Sequence, residues 1–400
     1  MQQTYIYDAI RSARTRAKPD GGLHELTPQE LLRQLYNEIR SRTTLDATTI
    51  EEVILGCATQ AGEQAGNIAK TSLLYSGWPD HIPGLTINRY CASSLEAVNL
   101  ASAKIGIGQL NALIAGGVEM MSRIPMLADS PSVFTDPEFS RDCRMLMMGS
   151  GADLIASQFK VSREQADEIA FQSQQRASIA QQQGRFKSIV EIDNPIKQTK
   201  VSADECIRPA TTLERLASLT PAFAELGASG IDNFQLDANP ALSKIDHIHT
   251  AGNSPAMADA AAVVLLANAE LESKTGLKPR AKILSIAIVC DDPLRVVSGC
   301  VTATEKLLHD NQIKADQIDL FEVHEAFAAT MVMFQKRLAV ENERLNVNGG
   351  VIALGHPMGA TGAIMLGTLL DELERRNLKT GIVAMSGAAG TGTAMLIERI

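Results

Sequence analysis

Cys91 lies in Asn88-Arg89-Tyr90-Cys91-Ala92-Ser93-Ser94, where the pattern predicts that a helix begins. Free N–H groups and partial positive charge at a helix N-terminus lower a thiol pKa and make a better nucleophile. A buried structural cysteine at a tight helix start is the alternative. The stretch Gly349-Gly350-Val351-Ile352-Ala353-Leu354-Gly355-His356-Pro357-Met358-Gly359-Ala360-Thr361-Gly362 holds a histidine between glycines, ahead of a second helix. Such a turn can expose an imidazole, which titrates near neutrality and suits proton transfer, together with backbone N–H groups. A purely structural glycine turn has the same pattern. His324 and Glu325 end an apolar run at 319–323, and the C-terminal ends of strands are where open α/β sheets place ligands. Gly387-Ala388-Ala389-Gly390-Thr391-Gly392 is GxxGxG rather than GxGxxG. Too little chain follows it for a βαβ unit, so a dinucleotide site is excluded. Asp291-Asp292 and Glu51-Glu52 read as solvated surface.

The elements that must hold these groups alternate between strand and helix. Strands are expected at 4–10, 52–56 and 111–118, with a helix opened by Thr27-Pro28-Gln29-Glu30 as a capping box and another at 92–106. Residues 120–249 have few continuous apolar runs and read as an inserted subdomain of helix and loop. One helix there starts at the capping box Ser162-Arg163-Glu164-Gln165 and runs to about 183. Strands return at 260–267, 282–289, 319–323, 351–354 and 381–385, with a helix at 360–373. Ile50-Glu51-Glu52-Val53-Ile54-Leu55-Gly56 resembles Ile318-Asp319-Leu320-Phe321-Glu322-Val323 at an offset of 268 residues (318 − 50). Each copy is followed by a small-residue turn and by an apolar strand ending in glycine. A duplicated α/β fold with its site at the seam is the expectation from that repeat; a chance likeness between two α/β segments is the alternative.

The 400 residues are 45% apolar and 21% charged, which supplies a large core and excludes disorder and small disulfide scaffolds. A net charge of −9 argues against a nucleic-acid binder. No apolar run suggests a membrane span. Residues 1–18 lack a signal-peptide pattern, and Glu398-Arg399-Ile400 is not a targeting tag. Six scattered cysteines contain no CxxC spacing, so no metal site is expected and a reducing, cytoplasmic setting is.

Together these pieces resemble the thiolase family over nearly the whole chain. Tyr90-Cys91-Ala92-Ser93-Ser94 is similar to the family's nucleophile motif. His324-Glu325-Ala326-Phe327-Ala328 is similar to its NEAF/HEAF motif, and Gly355-His356-Pro357 with Gly359 and Gly362 to its GHP motif. Residues 385–392 take the place of its C-terminal cysteine motif, and Thr250-Ala251-Gly252-Asn253-Ser254 resembles the segment before the last strand of the first half. The resemblance implies a thiolase-like α/β fold of two βαβαβαββ halves in a five-layered αβαβα core with an inserted loop subdomain. The halves would be 1–119 with 250–278, and 279–400; the insertion would be 120–249.

It also implies an acyl-CoA C-acyltransferase working through a thioester on Cys91. His356 would take the thiol proton, and His324 with His356 would serve one oxyanion. The N–H groups of Cys91 and Ala388 would serve the other. Met148, Ala251, Ser254 and Phe327 would contact coenzyme A, which enters as substrate, no cofactor being permanently bound. A homodimer or homotetramer and a β-oxidation partner subunit are further implications. The methionines at 120, 121, 126, 145, 147 and 148 could line an acyl pocket or fill core.

Three departures stand out. Ser386 replaces the family's second catalytic cysteine, and an alcohol is a far weaker acid than a thiol. His324 stands where many members have Asn; Cys-His-His without a second thiol also matches decarboxylating condensing enzymes. Thr220 and Pro255 replace an arginine and a serine that some members use to hold coenzyme A. A decarboxylating or other acyl transfer, and a catalytically impaired acyl-CoA-binding homologue, are the alternative functions.

Overall fold

The computed structural model describes residues 2–400. Strand β1 (Tyr5–Arg11) is buried along nearly its whole length and leads into helix α1 (Pro28–Thr43). Thr27 caps α1 by accepting the Glu30 N–H at 3.2 Å. The expected reciprocal box does not form, because the Glu30 carboxylate bonds the Arg33 guanidinium at 2.6 and 2.7 Å. A charged donor outcompetes a backbone N–H.

The first half continues through β2 (Glu52–Gly56), α2 (Ile68–Tyr75), β3 (Gly84–Ile87), α3 (Ser93–Gly106) and β4 (Ala112–Met120). An insertion follows, carrying α4 (Met148–Phe159) and α5 (Arg163–Gln182), before β5 (Ala258–Ala267) closes the half. The Ser162–Gln165 box at the head of α5 is reciprocal, as expected. The second half repeats the plan with β6 (Ala281–Cys290), α6 (Gly299–Asp310), β7 (Leu320–Val323), α7 (Ala328–Leu338), α8 (Thr361–Arg376), β8 (Thr380–Ser386) and β9 (Thr391–Arg399).

The first half-sheet runs β3-β2-β4-β5-β1 and the second β7-β8-β9-β6. In each, the early crossover strands pair in parallel and the last strand returns antiparallel. The half-sheets touch where Tyr5 and Ile6 pair with Lys282 and Ala281. The same 268-residue offset carries the 3-10 turn Ala47–Thr49 onto Ala315–Gln317 (315 − 47) and the start of β2 onto that of β7 (320 − 52). The second-half counterpart of β3 shrinks to one bridge, Phe321 to Leu345. The Asn346 side chain completes that edge, accepting the Val323 N–H at 2.7 Å and donating to its carbonyl at 2.9 Å.

Three apolar cores define five layers. One joins α1 and α2 to the outer face of the first half-sheet, and another joins α6 and α7 to that of the second. The third lies between the half-sheets and is built on α3 and α8, with Leu95, Val98, Ile364 and Leu366 fully buried. The run 351–354 is a buried helical turn rather than a strand. Four apolar residues between glycines satisfy either geometry, and here Leu354 packs against Ala177 of α5 and Phe186 instead of joining a sheet. The acidic pairs are not solvated surface either. Glu52 pairs with Lys104 at 2.5 Å, and Asp291 accepts the Ser298 hydroxyl at 2.6 Å.

The insertion is tied to β1 by a buried ion pair. Arg11 forks onto both Asp204 oxygens at 2.7 and 2.8 Å, and the Arg14 N–H also reaches Asp204 at 2.7 Å. Both side chains are shielded, at 1% and 0% exposure. Asp204→Ala leaves a buried cation without its partner, and chemical denaturation is expected to show a loss of about 3–5 kcal/mol.

Candidate active site

The turn before α3 is set by side chains. Asn88 Oδ1 accepts the Tyr90 N–H at 2.8 Å. Ser93 Oγ accepts the Arg89 N–H at 2.8 Å and donates to the Tyr90 carbonyl at 2.5 Å. These bonds hold Tyr90 at φ 51°, a left-handed conformation that bulky side chains avoid. Cys91 follows, just ahead of the Ala92 cap of α3. His356 occupies the matching turn before α8. Gly355 at φ 94° reverses the chain there, which an L side chain would resist. The His356 N–H donates to the Ala256 carbonyl at 2.7 Å, and Nδ1 meets Thr361 Oγ1 at 2.8 Å. That leaves Nε2 as the working nitrogen. Because a hydroxyl both donates and accepts, Thr361 supports either ring tautomer.

His324 leaves the end of β7, where its N–H donates to the Ala384 carbonyl at 2.9 Å. Its ring is 2% exposed, and neither ring nitrogen has a protein partner. The His324 and His356 rings lie 4.5 Å apart between centroids, tilted by 45°. Ser386 and Ala388 come from the turn between β8 and β9. Among the described residues, the N–H groups of Cys91 and Ala388 donate to no protein acceptor.

Cys91, His324, His356, Ser386 and Ala388 line one largely apolar cavity of about 250 Å³. Met148, Ser254 and Phe327 line it too, as does Pro255. Ala251 does not: it is exposed on the loop before β5, as is Thr220 on the insertion. A second cavity of about 240 Å³ shares Cys91, Met148, Met358 and Ala388 and extends toward Val133 and Phe134. Of the methionines singled out by sequence, Met121, Met126, Met147 and Met148 line the first cavity, while Met120 is core. Met257 and Met358, outside that cluster, line it as well.

Burial dominates the electrostatics. It pushes the Cys91 thiol up to about 12, and the Glu119 carboxylate adds to the shift. The expected lowering by the helix N-terminus is therefore overturned, because removing a thiolate from water costs more than half a helix charge returns. Burial lowers His324 to about 3, and it holds His356 well below the usual histidine range, with His324 adding to that effect. The resting site is thus a neutral thiol beside two neutral imidazoles.

Glu119 was missed by the motif reading. It is fully buried at the end of β4 and accepts N–H bonds from Ala58, Thr59 and Gly359 at 2.8, 3.1 and 2.9 Å, and from Gln64 Nε2 at 2.8 Å. It pins the loop after β2 to the turn after His356. The visible signal was an acid inside the otherwise apolar run 112–121. Glu325 works similarly, accepting from Ser173 at 2.8 Å and from the Ile352 N–H at 3.1 Å. Among the described residues no group of three or more His, Cys, Asp or Glu is placed to hold a metal ion. No helix there is long and apolar enough to cross a membrane.

A duplicated α/β fold that gathers a cysteine, two imidazoles and free N–H donors in a cavity at its seam defines a thiol-dependent acyltransferase. The family description "Thiolase, N-terminal domain" matches residues 5–235, and "Thiolase, C-terminal domain" matches residues 277–399. The chain belongs to the thiolase family. It is 36% identical to a 3-ketoacyl-CoA thiolase of Citrobacter koseri and 35% identical to one of Salmonella typhi, each alignment covering 100% of both chains. The crystal structure of the Bacillus anthracis acetyl-CoA acetyltransferase superposes with a TM-score of 0.87 at 32% identity, covering 100% of this chain and 99% of that one.

With the thiol raised to about 12, the thiolate fraction, and hence the rate of Cys91 alkylation by iodoacetamide, is expected to climb about tenfold per pH unit from pH 7 to 10. A plateau near pH 8.5 contradicts this. Glu119→Ala, which frees the turns beside Cys91 and His356, is expected to cut turnover by about 10–100-fold in steady-state kinetics.

Proposed function

We propose that Cys91 attacks the 3-keto carbon of a 3-ketoacyl-CoA, keeps the shortened acyl group as a thioester and passes it to free coenzyme A. The same steps reversed give the condensation. The single observation that carries this reading is the convergence of Cys91, His324, His356 and Ser386 on one apolar cavity.

His356 Nε2 takes the thiol proton while Nδ1 is held by Thr361. A neutral imidazole is the form able to accept that proton, and burial keeps it neutral. Negative charge on the first carbonyl oxygen meets the unengaged N–H groups of Cys91 and Ala388. Charge on the second thioester oxygen meets His324 and His356. These donors are in place before the reaction, so little reorganisation is needed when charge develops. The apolar lining from Met126, Met148 and Phe134 receives an acyl chain. Met148, Ser254 and Phe327 line the cavity, which supports them as coenzyme A contacts, while Ala251 is exposed outside it.

The six cysteines are unpaired, which fits the cytoplasmic setting. β3 ends the sheet order, leaving an edge at which the implied homodimer or homotetramer, or a β-oxidation partner subunit, could pair.

The test is incubation with acetoacetyl-CoA, with and without free coenzyme A, following acetyl-CoA release and intact mass. An acetyl increment on Cys91 with steady turnover is expected. Cys91→Ala is expected to lose the adduct and on the order of 10⁴ or more in rate. Carbon dioxide release from malonyl-CoA without cleavage of acetoacetyl-CoA points instead to the decarboxylating reaction.

A further inference from the structure

Ser386 is the last residue of β8 and lines the cavity beside Cys91, His324 and His356. An alcohol alone exchanges protons with carbon poorly, because its oxygen tolerates full negative charge far less well than sulfur does. Ser386 is not alone. Its Oγ accepts the N–H of Cys300 at 2.9 Å, which sets the Cys300 side chain beside the same hydroxyl. Cys300 is fully buried in the first turn of α6 and does not line the cavity. Its only connection to the reacting atoms runs through Ser386.

The contact is built by close packing. A Cβ on Gly299 would lie 2.1 Å from the Thr391 carbonyl oxygen, and one on Gly392 would lie 2.0 Å from that of Gly299. Gly392 pairs with Ser386 across β8 and β9. Two side-chain-free positions thus let the first turn of α6 rest on the β8–β9 corner, and this brings Cys300 against Ser386. The Cys300 N–H belongs to the opening turn of a twelve-residue helix, but burial outweighs that partial charge and pushes the Cys300 thiol up to about 12, so its proton leaves only as another arrives on Ser386. On the cavity side stands His324, buried and with both ring nitrogens unpartnered, ready for a substrate oxygen.

We propose that Cys300 is the second thiol of this site, exchanging its proton with the α-carbon of the second thioester through the Ser386 hydroxyl. The proposal rests on the thiolase reading above. Ser386 is the catalytic residue, and Cys300 acts through it. In cleavage, Cys91 sulfur gives its proton to His356 and bonds to C3. The C2–C3 bond breaks, and its electron pair takes the Ser386 hydroxyl proton. Ser386 oxygen takes the Cys300 thiol proton in the same movement, so the alcohol never carries a full charge. Acetyl-CoA leaves. The thiol of incoming coenzyme A returns a proton through Ser386 to the Cys300 thiolate, and its own sulfur takes the acyl group. Cys91 departs and recovers its proton from His356.

The test separates carbon–carbon chemistry from simple acyl transfer. Cys300→Ala and the size-conserving Cys300→Ser are assayed for acetoacetyl-CoA cleavage and for acetylation of Cys91 by p-nitrophenyl acetate, whose phenolate leaves without a proton from the enzyme. Folding of each is checked by melting temperature. Cleavage is expected to fall about a hundredfold, and acetylation by less than about threefold. Losses in Cys300→Ala and Ser386→Ala are expected not to multiply in the double variant, since the two act as one relay. Ser386→Cys in the Cys300→Ala background, which puts a thiol directly in the cavity, is expected to restore cleavage. A packing defect at Cys300 would not be repaired that way. Cleavage above half the wild-type rate in both Cys300 variants, or no rescue by Ser386→Cys, overturns the relay and leaves the thiolase reading standing. If the wild-type protein forms no acyl adduct on Cys91, both fall together.

Discussion

The contact between α3 and α8, sealed between two half-sheets, is the constraint on which the rest of the molecule depends. The two helices meet closely enough that the Ala363 N–H donates to Ser94 Oγ at 3.0 Å. Each is preceded by the turn that carries a reactive group, Cys91 for one and His356 for the other. Because the halves repeat one plan, these two turns occupy equivalent places. Bringing the helices together therefore brings nucleophile and base together. The outer layers serve that contact: α1 and α2 on one side, and α6 and α7 on the other, cover the faces the half-sheets turn away from it.

Sealing the seam has an electrostatic consequence. His324 is buried and Cys91 and His356 are half-buried, so the loss of water around them favours the neutral form of each. The site does not store a thiolate. It holds a neutral pair and makes charge only when a carbonyl is present to receive the sulfur and donors are present to receive the oxygen. Preorganised donors gain strength in the same low-dielectric surroundings that raise the thiol pKa. Burial thus slows idle chemistry and supports the intended reaction by one physical cause.

The insertion closes the cavity and stiffens its far wall. His247 bridges Asp153 of α4 and Asp232, at 2.9 Å to each, and His249 bonds Asp153 at 2.6 Å. His249 also packs edge-on against Phe327, with ring centroids 5.3 Å apart, and Phe327 in turn meets Phe223 at 5.8 Å. This polar and aromatic chain positions the cavity wall beside His324. The methionine-rich lining is softer, and such side chains adapt to acyl groups of different shape.

Much of this was legible in the residues themselves. The duplication, the seam, the Cys91 and His356 turns and the inserted helix at 163–182 all follow from local patterns, since caps, glycine turns and apolar periodicity act over a few neighbours. The run 351–354 misled for the same reason: four apolar residues contain no information about what lies beside them. The thiol pKa misled because the local helix effect was visible and the surrounding burial was not. The Glu119 clamp and the approach of Cys300 to Ser386 join residues from 55 (119 − 64) to 240 (359 − 119) positions apart. The sequence alone determined which groups could react and which turns would present them. Only the tertiary structure decided which groups meet and how much water they keep, because distance and desolvation are properties of the packed chain.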